Sequence, residues 1–232
     1  MSLSDQEIQA IISRVKQRLG DVPSGSRPAA TLAAREDLAP DVELGDGIYP
    51  SVNDAVAAAR RAQPKYAEMG LGVRRTIVES MRRSMLEHGE NLAMLAHTET
   101  GLGRYEDKIK KNLLVTRKTP GPEDLEPQAV TGDDGMSVTE WAPMGIVGAI
   151  TPTTNPTSTI INNSIAILSG GNAVVFNVHP GARKVSAENI RILNRAIISA
   201  GGPADLITAV ATPTIDSAKE LMLLLSTLNP DR

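Results

Sequence analysis

A run that is dense in hydroxyl side chains and includes one amide lies at residues 151–158 of the 232-residue sequence, Thr-Pro-Thr-Thr-Asn-Pro-Thr-Ser. It follows a short apolar segment and precedes a predicted helix. The first N–H groups of a helix have no partner within it, so a helix N-terminus favours anions and developing negative charge. The amide of Asn155 is therefore a candidate donor to an oxyanion. The alternative is that the Thr and Ser side chains act only as helix caps and turn formers.

Two further polar loops follow the next two predicted strands. They are residues 177–181, Asn-Val-His-Pro-Gly, and residues 211–214, Ala-Thr-Pro-Thr. Ligands of an open parallel sheet bind at the carboxyl ends of its strands, so the three loops together predict a rim suited to a dinucleotide. The sequence contains neither G-x-G-x-x-G after a strand nor G-x-x-x-x-G-K-[ST], which excludes pyrophosphate recognition by those two motifs.

Other catalytic and metal chemistry has little support in the sequence. It contains no cysteine, which excludes disulfides, Cys-ligated metal sites and a thiolate nucleophile within these residues. The three histidines lie far apart and lack the spacing of a zinc-binding helix. Glu99, Glu106 and Asp107 alternate with arginine and lysine, which predicts a solvated helix with salt bridges rather than a carboxylate site.

Composition narrows the class of protein further. A net charge of −3 argues against a polyanion binder. Aromatic residues make up 2% of the chain, which leaves few platforms for stacking nucleic-acid bases. No apolar run reaches the roughly 20 residues of a membrane span, and no signal-peptide pattern opens the chain. We therefore expect a soluble cytoplasmic protein with neither nucleic acid nor membrane as a partner.

The first 20 residues predict an amphipathic helix. Ser4 and Glu7 fit a capping box, and a narrow apolar stripe at helical spacing follows. The stripe consists of Ile8, Ile11, Ile12, Val15 and Leu19. Residues 21–47 are rich in Pro, Gly, Ala and Ser and predict a linker. The helix either docks on its own domain or self-associates, or it lays its stripe in the groove of a partner.

The segment after this linker reads as a small helical layer followed by a hairpin. The predicted helices begin at Ser51, with an interruption at Pro64, and cover residues 73–88 and 90–98. Two extended segments, residues 128–131 and 136–141, flank a turn-rich Gly-Asp-Asp-Gly sequence. This pattern predicts a β-hairpin.

The rest of the chain alternates between short buried strands and helices. The predicted strands cover residues 145–150, 173–176 and 206–210, and the predicted helices cover residues 159–169, 185–199 and 215–225. Such alternation indicates βαβ units and a parallel sheet, so the fold class is α/β. The chain ends where a further strand is expected, and we therefore expect an incomplete sheet.

Four segments resemble the CoA-acylating aldehyde dehydrogenases, in particular those that act on propionaldehyde or acetaldehyde in bacterial microcompartments. The segments are residues 99–112, 119–122, 141–156 and 174–186. The resemblance covers about residues 48–228. It implies oxidation of a short aldehyde, with propionaldehyde preferred, by NAD⁺. A cysteine thiolate forms a thiohemiacetal, hydride passes to the nicotinamide, and coenzyme A resolves the thioester as an acyl-CoA.

The resemblance also implies an organisation into domains. Residues 48–232 correspond to part of the NAD-binding domain, and residues 126–142 correspond to a hairpin arm used in homo-oligomers. The nucleophilic cysteine of this family belongs to a catalytic domain downstream. We therefore expect the chain to correspond to the N-terminal half of such an enzyme and to be inactive alone.

Site residues and a partner are implied by the same resemblance. Ile150, Thr151, Pro152 and Thr153 correspond to the nicotinamide side, Asn177, His179 and Pro180 to the adenosine ribose, and Thr212 and Pro213 to the adenine pocket. Thr154 stands where the wider superfamily has its oxyanion asparagine, and the adjacent Asn155 is the candidate for that role. The N-terminal helix and linker resemble the encapsulation peptides of microcompartment cargo, which implies a shell protein as partner and a location inside a bacterial microcompartment.

Overall fold

A computed structural model describes residues 42–228 of the chain. In chain order its strands are β1 (Ile48–Tyr49), β2 (Gln128–Gly132), β3 (Gly135–Thr139), β4 (Ile146–Ile150), β5 (Ala173–Asn177) and β6 (Ile207–Val210). Its α-helices are α1 (Val52–Ala67), α2 (Leu71–Thr100), α3 (Tyr105–Lys118), α4 (Pro156–Ser169), α5 (Arg183–Ser199) and α6 (Ile215–Leu228). Short 3₁₀ helices cover Pro122–Leu125 and Pro180–Ala182.

The central sheet is parallel and has the strand order β1-β6-β5-β4. Helices α4 and α5 pack against one face, and α1 and α6 pack against the other. Helix α2 covers α4 and α5, and α3 packs on α2 and α4. The fully buried Phe176, Ile165, Ile190 and Met81 belong to the core between these layers. The predicted α/β class and parallel sheet are confirmed.

The sheet has one more strand than the sequence predicted. The two-residue strand β1 pairs with β6, and backbone bonds from Ala209 N to Gly47 O (2.9 Å) and from Ala211 N to Tyr49 O (2.8 Å) hold it there. Gly47 has φ +94°, and a Cβ at this position would lie 2.4 Å from the Ile207 carbonyl oxygen. A strand of two residues is too short to show the alternation of apolar and polar side chains that predicts a strand, so no sequence pattern indicated β1.

The predicted linker ends earlier than residue 47. Val42 is buried, and the Arg195 guanidinium pairs with Asp46 at 2.7 Å. Asn194 Nδ2 donates to the Asp46 carbonyl at 3.0 Å, so residues 42–47 pack on α5. The amphipathic helix predicted for residues 1–20, with its stripe, lies outside the described residues.

Two predicted helix interruptions are wrong. Pro64 lies in the last turn of α1. Its missing N–H removes only one hydrogen bond of the helix, and its carbonyl still accepts from Glu68 N at 3.2 Å. Residues 73–88 and 90–98 belong to one 30-residue helix that passes through Gly89. Asn112 Nδ2 donates to the Gly89 carbonyl at 2.9 Å, so this glycine lies at a helix contact. A mid-helix glycine costs only about 1 kcal/mol, which packing offsets.

Strand β4 was predicted to be buried, and this prediction is wrong. Only Ala149 is buried, and Ile150 is 54% exposed. Within the described residues β4 pairs with β5 alone, so it forms an edge of the sheet. Its contact with α6 is close: a Cβ on Gly148 would lie 2.5 Å from Leu225 Cδ1.

The predicted β-hairpin is confirmed as a structure. Strands β2 and β3 pair in antiparallel register from Gln128 opposite Thr139 to Gly132 opposite Gly135, which leaves a two-residue turn. Every residue of both strands is exposed.

Among residues 42–228, no helix is long and apolar enough to cross a membrane.

Candidate functional site

The three polar loops meet at the carboxyl edge of the sheet. Strands β4, β5 and β6 are parallel neighbours, so the loops that follow them emerge side by side. Thr151 N donates to the Asn177 carbonyl at 3.3 Å, which joins the first loop to the second. Asn177 Nδ2 donates to the Thr214 carbonyl at 3.3 Å, which joins the second loop to the third. The sequence therefore predicted this grouping correctly.

The side chain of Asn177 links the second polar loop to the third loop and to α6. Its side chain is buried, and its Oδ1 accepts a 2.6 Å hydrogen bond from the Ser217 hydroxyl. With Nδ2 bound to Thr214, the amide fixes the start of α6 relative to the end of β5. The sequence offers no signal for this link, because its partners lie about 40 residues downstream.

His179 and Pro180 are exposed at the second loop. His179 Nδ1 accepts from Gly181 N at 3.0 Å. A nitrogen that accepts carries no proton, so the neutral ring presents its N–H at Nε2. Thr153 approaches the same loop, since a Cβ on Gly181 would lie 3.7 Å from Thr153 Oγ1.

The other predicted rim residues differ in accessibility. Thr212 is exposed and Pro213 is buried in the turn between β6 and α6. Pro152 is exposed and Ile150 is largely so. Thr151 is 3% exposed, and its hydroxyl has no hydrogen-bond partner among the described residues. A buried hydroxyl without a partner is costly, so Thr151 is a notable feature of the rim.

Asn155 stands at the N-cap position of α4 without capping the helix. Its Oδ1 accepts from Lys111 Nζ at 3.0 Å. An ammonium group only donates, so this contact identifies the amide oxygen and turns Nδ2 to the opposite side. The distance from Nδ2 to Thr154 Oγ1 is 3.5 Å. Nδ2 donates to the Thr154 hydroxyl over this distance, so both ends of the amide are engaged within the described residues.

Helix α3 supplies residues that the sequence reading missed. Lys108 is buried, and its Nζ donates to the Thr154 carbonyl at 3.3 Å. The buried Asn112 accepts from the Thr157 hydroxyl at 2.8 Å. The prediction of a wholly solvated charged helix is wrong on this face, because α3 packs against the first turn of α4. The spacing of residues 108, 111 and 112 on one helical face was the available signal.

Glu99 also departs from the solvated role that was predicted. Its carboxylate accepts from Lys184 N at 2.9 Å and from Val185 N at 2.7 Å. It thereby caps the first turn of α5 from the end of α2, and a carboxylate is favourable at a helix N-terminus.

Within the described residues no group of three or more metal-ligating side chains occurs.

Comparison with known proteins identifies the family. A model described as "Aldehyde dehydrogenase family" matches residues 43–223. The chain belongs to the aldehyde dehydrogenase family. The resemblance to CoA-acylating members is confirmed by a relative, the acetylating acetaldehyde dehydrogenase of Bilophila wadsworthia. This aldehyde dehydrogenase is 42% identical over 223 residues, which are 95% of this chain and 44% of the relative.

Solved structures of other aldehyde dehydrogenases agree. A propionaldehyde dehydrogenase from the Clostridium phytofermentans fucose utilisation bacterial microcompartment matches with a TM-score of 0.74 and 44% identity, over 77% of this chain and 41% of that one. A Rhodopseudomonas palustris propionaldehyde dehydrogenase with bound propionyl-CoA matches with a TM-score of 0.74 and 40% identity, over 80% of this chain and 43% of that one. The chain thus spans less than half the length of the relatives it matches.

Proposed function

We propose that this chain provides the nucleotide-binding part of a CoA-acylating aldehyde dehydrogenase. The reaction converts a short aldehyde, NAD⁺ and coenzyme A into an acyl-CoA, NADH and a proton, and propionaldehyde is the preferred candidate. The observation that carries the proposal is the rim of three polar loops in a chain 42% identical to an acetylating acetaldehyde dehydrogenase. The similar propionaldehyde dehydrogenase of Rhodopseudomonas palustris, at 40% identity, was solved with bound propionyl-CoA, which supports a thioester product.

The residues of the rim fit a nucleotide. Pro152 and Thr153 are proposed to border the nicotinamide, together with Ile150 and Thr151, whose buried hydroxyl lacks a partner among the described residues. The exposed His179 presents a donor at Nε2 beside Pro180, where the adenosine ribose is proposed to lie with Asn177 holding the loop. Thr212 and Pro213 are proposed to border the adenine. NAD⁺, when bound, accepts the hydride.

Asn155 is proposed to stabilise the oxyanion of the acyl-transfer step through Nδ2. Lys111 engages the amide oxygen, and Nδ2 carries a second N–H beyond the one that it donates to Thr154, which supports a donor role for this group. The 232 residues contain no cysteine, so they supply no thiolate nucleophile. We therefore expect the purified chain to form no NADH from propionaldehyde, NAD⁺ and coenzyme A.

Titration calorimetry with NAD⁺ tests the nucleotide-binding role directly. We expect saturable heat from the folded chain, with weak affinity. Folded protein that gives no detectable heat would contradict the proposal. The second candidate, a binding module that never takes part in catalysis, is favoured only by the missing cysteine. NADH formation by the chain alone would exclude this candidate.

The proposed partner is a microcompartment shell protein, bound through the stripe of the N-terminal helix, with the enzyme inside a bacterial microcompartment in the cytoplasm. The similarity to a propionaldehyde dehydrogenase from a microcompartment supports this location. Residues 1–20 fused to a reporter should associate with shells, and Ile11→Asp should abolish the association because it places a charge in the stripe. A diffuse wild-type fusion would contradict the proposal.

A further inference from the structure

The carboxylate of Glu99 occupies the N-terminus of α5, immediately after the second polar loop. One of its oxygens accepts from Lys184 N at 2.9 Å and the other accepts from Val185 N at 2.7 Å, so backbone donors of the first turn engage both oxygens. Helix α5 begins at Arg183, and the side chain of its N-cap residue, Ala182, makes no capping hydrogen bond. Glu99, from the end of α2, takes the place of that cap.

The second polar loop and this helix terminus are close together. The 3₁₀ helix Pro180–Ala182 leads directly into α5, and Ala182 N donates to the His179 carbonyl at 2.9 Å. A 3₁₀ turn rises about 2 Å per residue, so Pro180 and the amide of Lys184 lie within roughly 10 Å of each other. The proposed function puts the adenosine ribose beside His179 and Pro180. A substituent on that ribose would therefore approach the start of α5.

Without Glu99, this terminus would favour a phosphate on the ribose. Helix N-termini bind phosphate through their unpaired N–H groups and the positive end of the helix dipole, and Arg183 and Lys184 add two cationic residues to the first turn. The Glu99 carboxylate occupies two of those N–H donors and adds a negative charge at the same position. A phosphate monoester carries a charge of about −1.5 to −2 at pH 7, so the carboxylate repels it. A neutral ribose hydroxyl meets no such repulsion.

We infer that Glu99 is a specificity-determining residue, which makes the rim select NAD⁺ over NADP⁺. The two dinucleotides differ only in the phosphate on the 2′-oxygen of the adenosine ribose, which NADP⁺ has and NAD⁺ lacks. The inference rests on the proposed function, because it requires a dinucleotide on the rim. Glu99 acts through its charge and through the donors that it occupies, so selection requires no contact between Glu99 and NAD⁺.

The test is calorimetric titration of the full chain with NAD⁺ and, separately, with NADP⁺ at low ionic strength, where charges are least screened. We expect the wild-type chain to bind NAD⁺ more tightly. Glu99→Gln keeps an acceptor oxygen for the helix but loses the charge. It should raise the affinity for NADP⁺ relative to NAD⁺ about tenfold, the size of a strong charge effect at a helix terminus. Both affinities are measured on the same variant, so a general loss of stability leaves their ratio unchanged.

Two further variants complete the comparison. Glu99→Ala removes the carboxylate and frees both N–H groups, so it should shift the ratio at least as far as Glu99→Gln does. Glu87→Gln is the matched control, since it removes the same charge from an exposed position on the same helix. Glu87 lies about three turns before Glu99, so its loss should leave the ratio unchanged. Circular dichroism establishes that each variant is folded.

Three results would overturn the inference: wild-type protein that binds the two dinucleotides equally, an unchanged ratio in both Glu99 variants, or Glu87→Gln with the same shift as Glu99→Gln. Binding of NAD⁺ with an unchanged ratio in the Glu99 variants contradicts the inference and leaves the proposed function intact. Folded wild-type protein that binds neither dinucleotide contradicts the proposed function and, with it, the inference.

Discussion

At the scale of single residues, the buried polar side chains of the rim differ in whether their polar atoms have hydrogen-bond partners. Asn177 and Ser217 satisfy each other at 2.6 Å. Thr151 is equally buried, but its hydroxyl lacks a partner among the described residues. Removing an unpaired buried polar group is neutral or stabilising, whereas breaking a made hydrogen bond is destabilising. The hydroxyl of Thr151 is therefore expected to serve binding at the expense of stability.

Thr151→Val tests this role with a change that keeps the shape of the side chain. We expect the free energy of unfolding to stay the same or to rise by about 1 kcal/mol, because an unsatisfied hydroxyl is removed. We also expect weaker NAD⁺ binding in calorimetry. Urea denaturation monitored by circular dichroism measures the first effect.

Thr208→Val is the matched control. Its hydroxyl is also buried, but it donates to the Ala55 carbonyl at 3.1 Å. The same substitution there should lower the free energy of unfolding by about 1 kcal/mol. Thr151→Val with an equal loss of stability, or with unchanged NAD⁺ affinity, would show that the hydroxyl has no ligand role.

At the scale of secondary-structure elements, the hairpin β2–β3 lacks a covering partner within the described chain. An isolated two-stranded hairpin is at best marginally stable in water. Met136 (70% exposed) and Val138 (54% exposed) lie two residues apart on β3. Successive side chains of a strand point to opposite faces, so these two share one face. Exposed apolar patches mark contact sites, which supports the proposed role as an oligomerisation arm.

Met136→Asp tests whether the hairpin mediates assembly. We expect the mass from size-exclusion chromatography with light scattering to fall from that of an oligomer to that of a monomer, because a charge would be buried in the interface. Thr139→Asp is the control, since Thr139 lies on the other face of the same strand, opposite the polar Gln128. A wild-type monomer, or equal effects of both variants, would contradict the arm role.

At the scale of the whole molecule, folding changes the ionisation of two tyrosines, Tyr49 of β1 and Tyr66 of α1. Burial, with hydrogen bonding to Asp205, raises the pKa of Tyr49 to about 12. Burial also raises the pKa of Tyr66, which is fully enclosed in the core. In an unfolded chain both rings titrate near pH ~10. The folded state therefore holds their protons more tightly than the unfolded state does.

Stability should consequently fall in alkaline solution. The contribution of Tyr49 is fully present below pH ~10 and is lost as the pH rises towards its folded pKa of about 12. Urea denaturation across this range should show a declining free energy of unfolding, with a shallower decline in Tyr49→Phe. Tyrosinate absorbance that rises for all three tyrosines while the chain remains folded would contradict this expectation.

Local patterns in the sequence determined the fold class and the place of the site. The alternation of buried strands and helices is a matter of neighbouring residues, so it was visible without the structure, and parallel strands necessarily bring their carboxyl ends to one edge. The family also followed from short continuous segments. The interruptions predicted at Pro64 and Gly89 failed because packing outweighs a local cost of a few kcal/mol at most.

Only the tertiary structure decided which side chains work together at that edge. Lys108 and Lys111 reach Thr154 and Asn155 across 46 and 44 residues, because α3 packs on α4. Glu99 caps α5 across 85 residues. Such contacts depend on how helices pack after the chain closes long loops, and no local periodicity encodes that arrangement. The sequence by itself therefore determined which polar loops meet at one edge of the sheet, where a ligand is proposed to bind, and helix packing decided which side chains contact one another there.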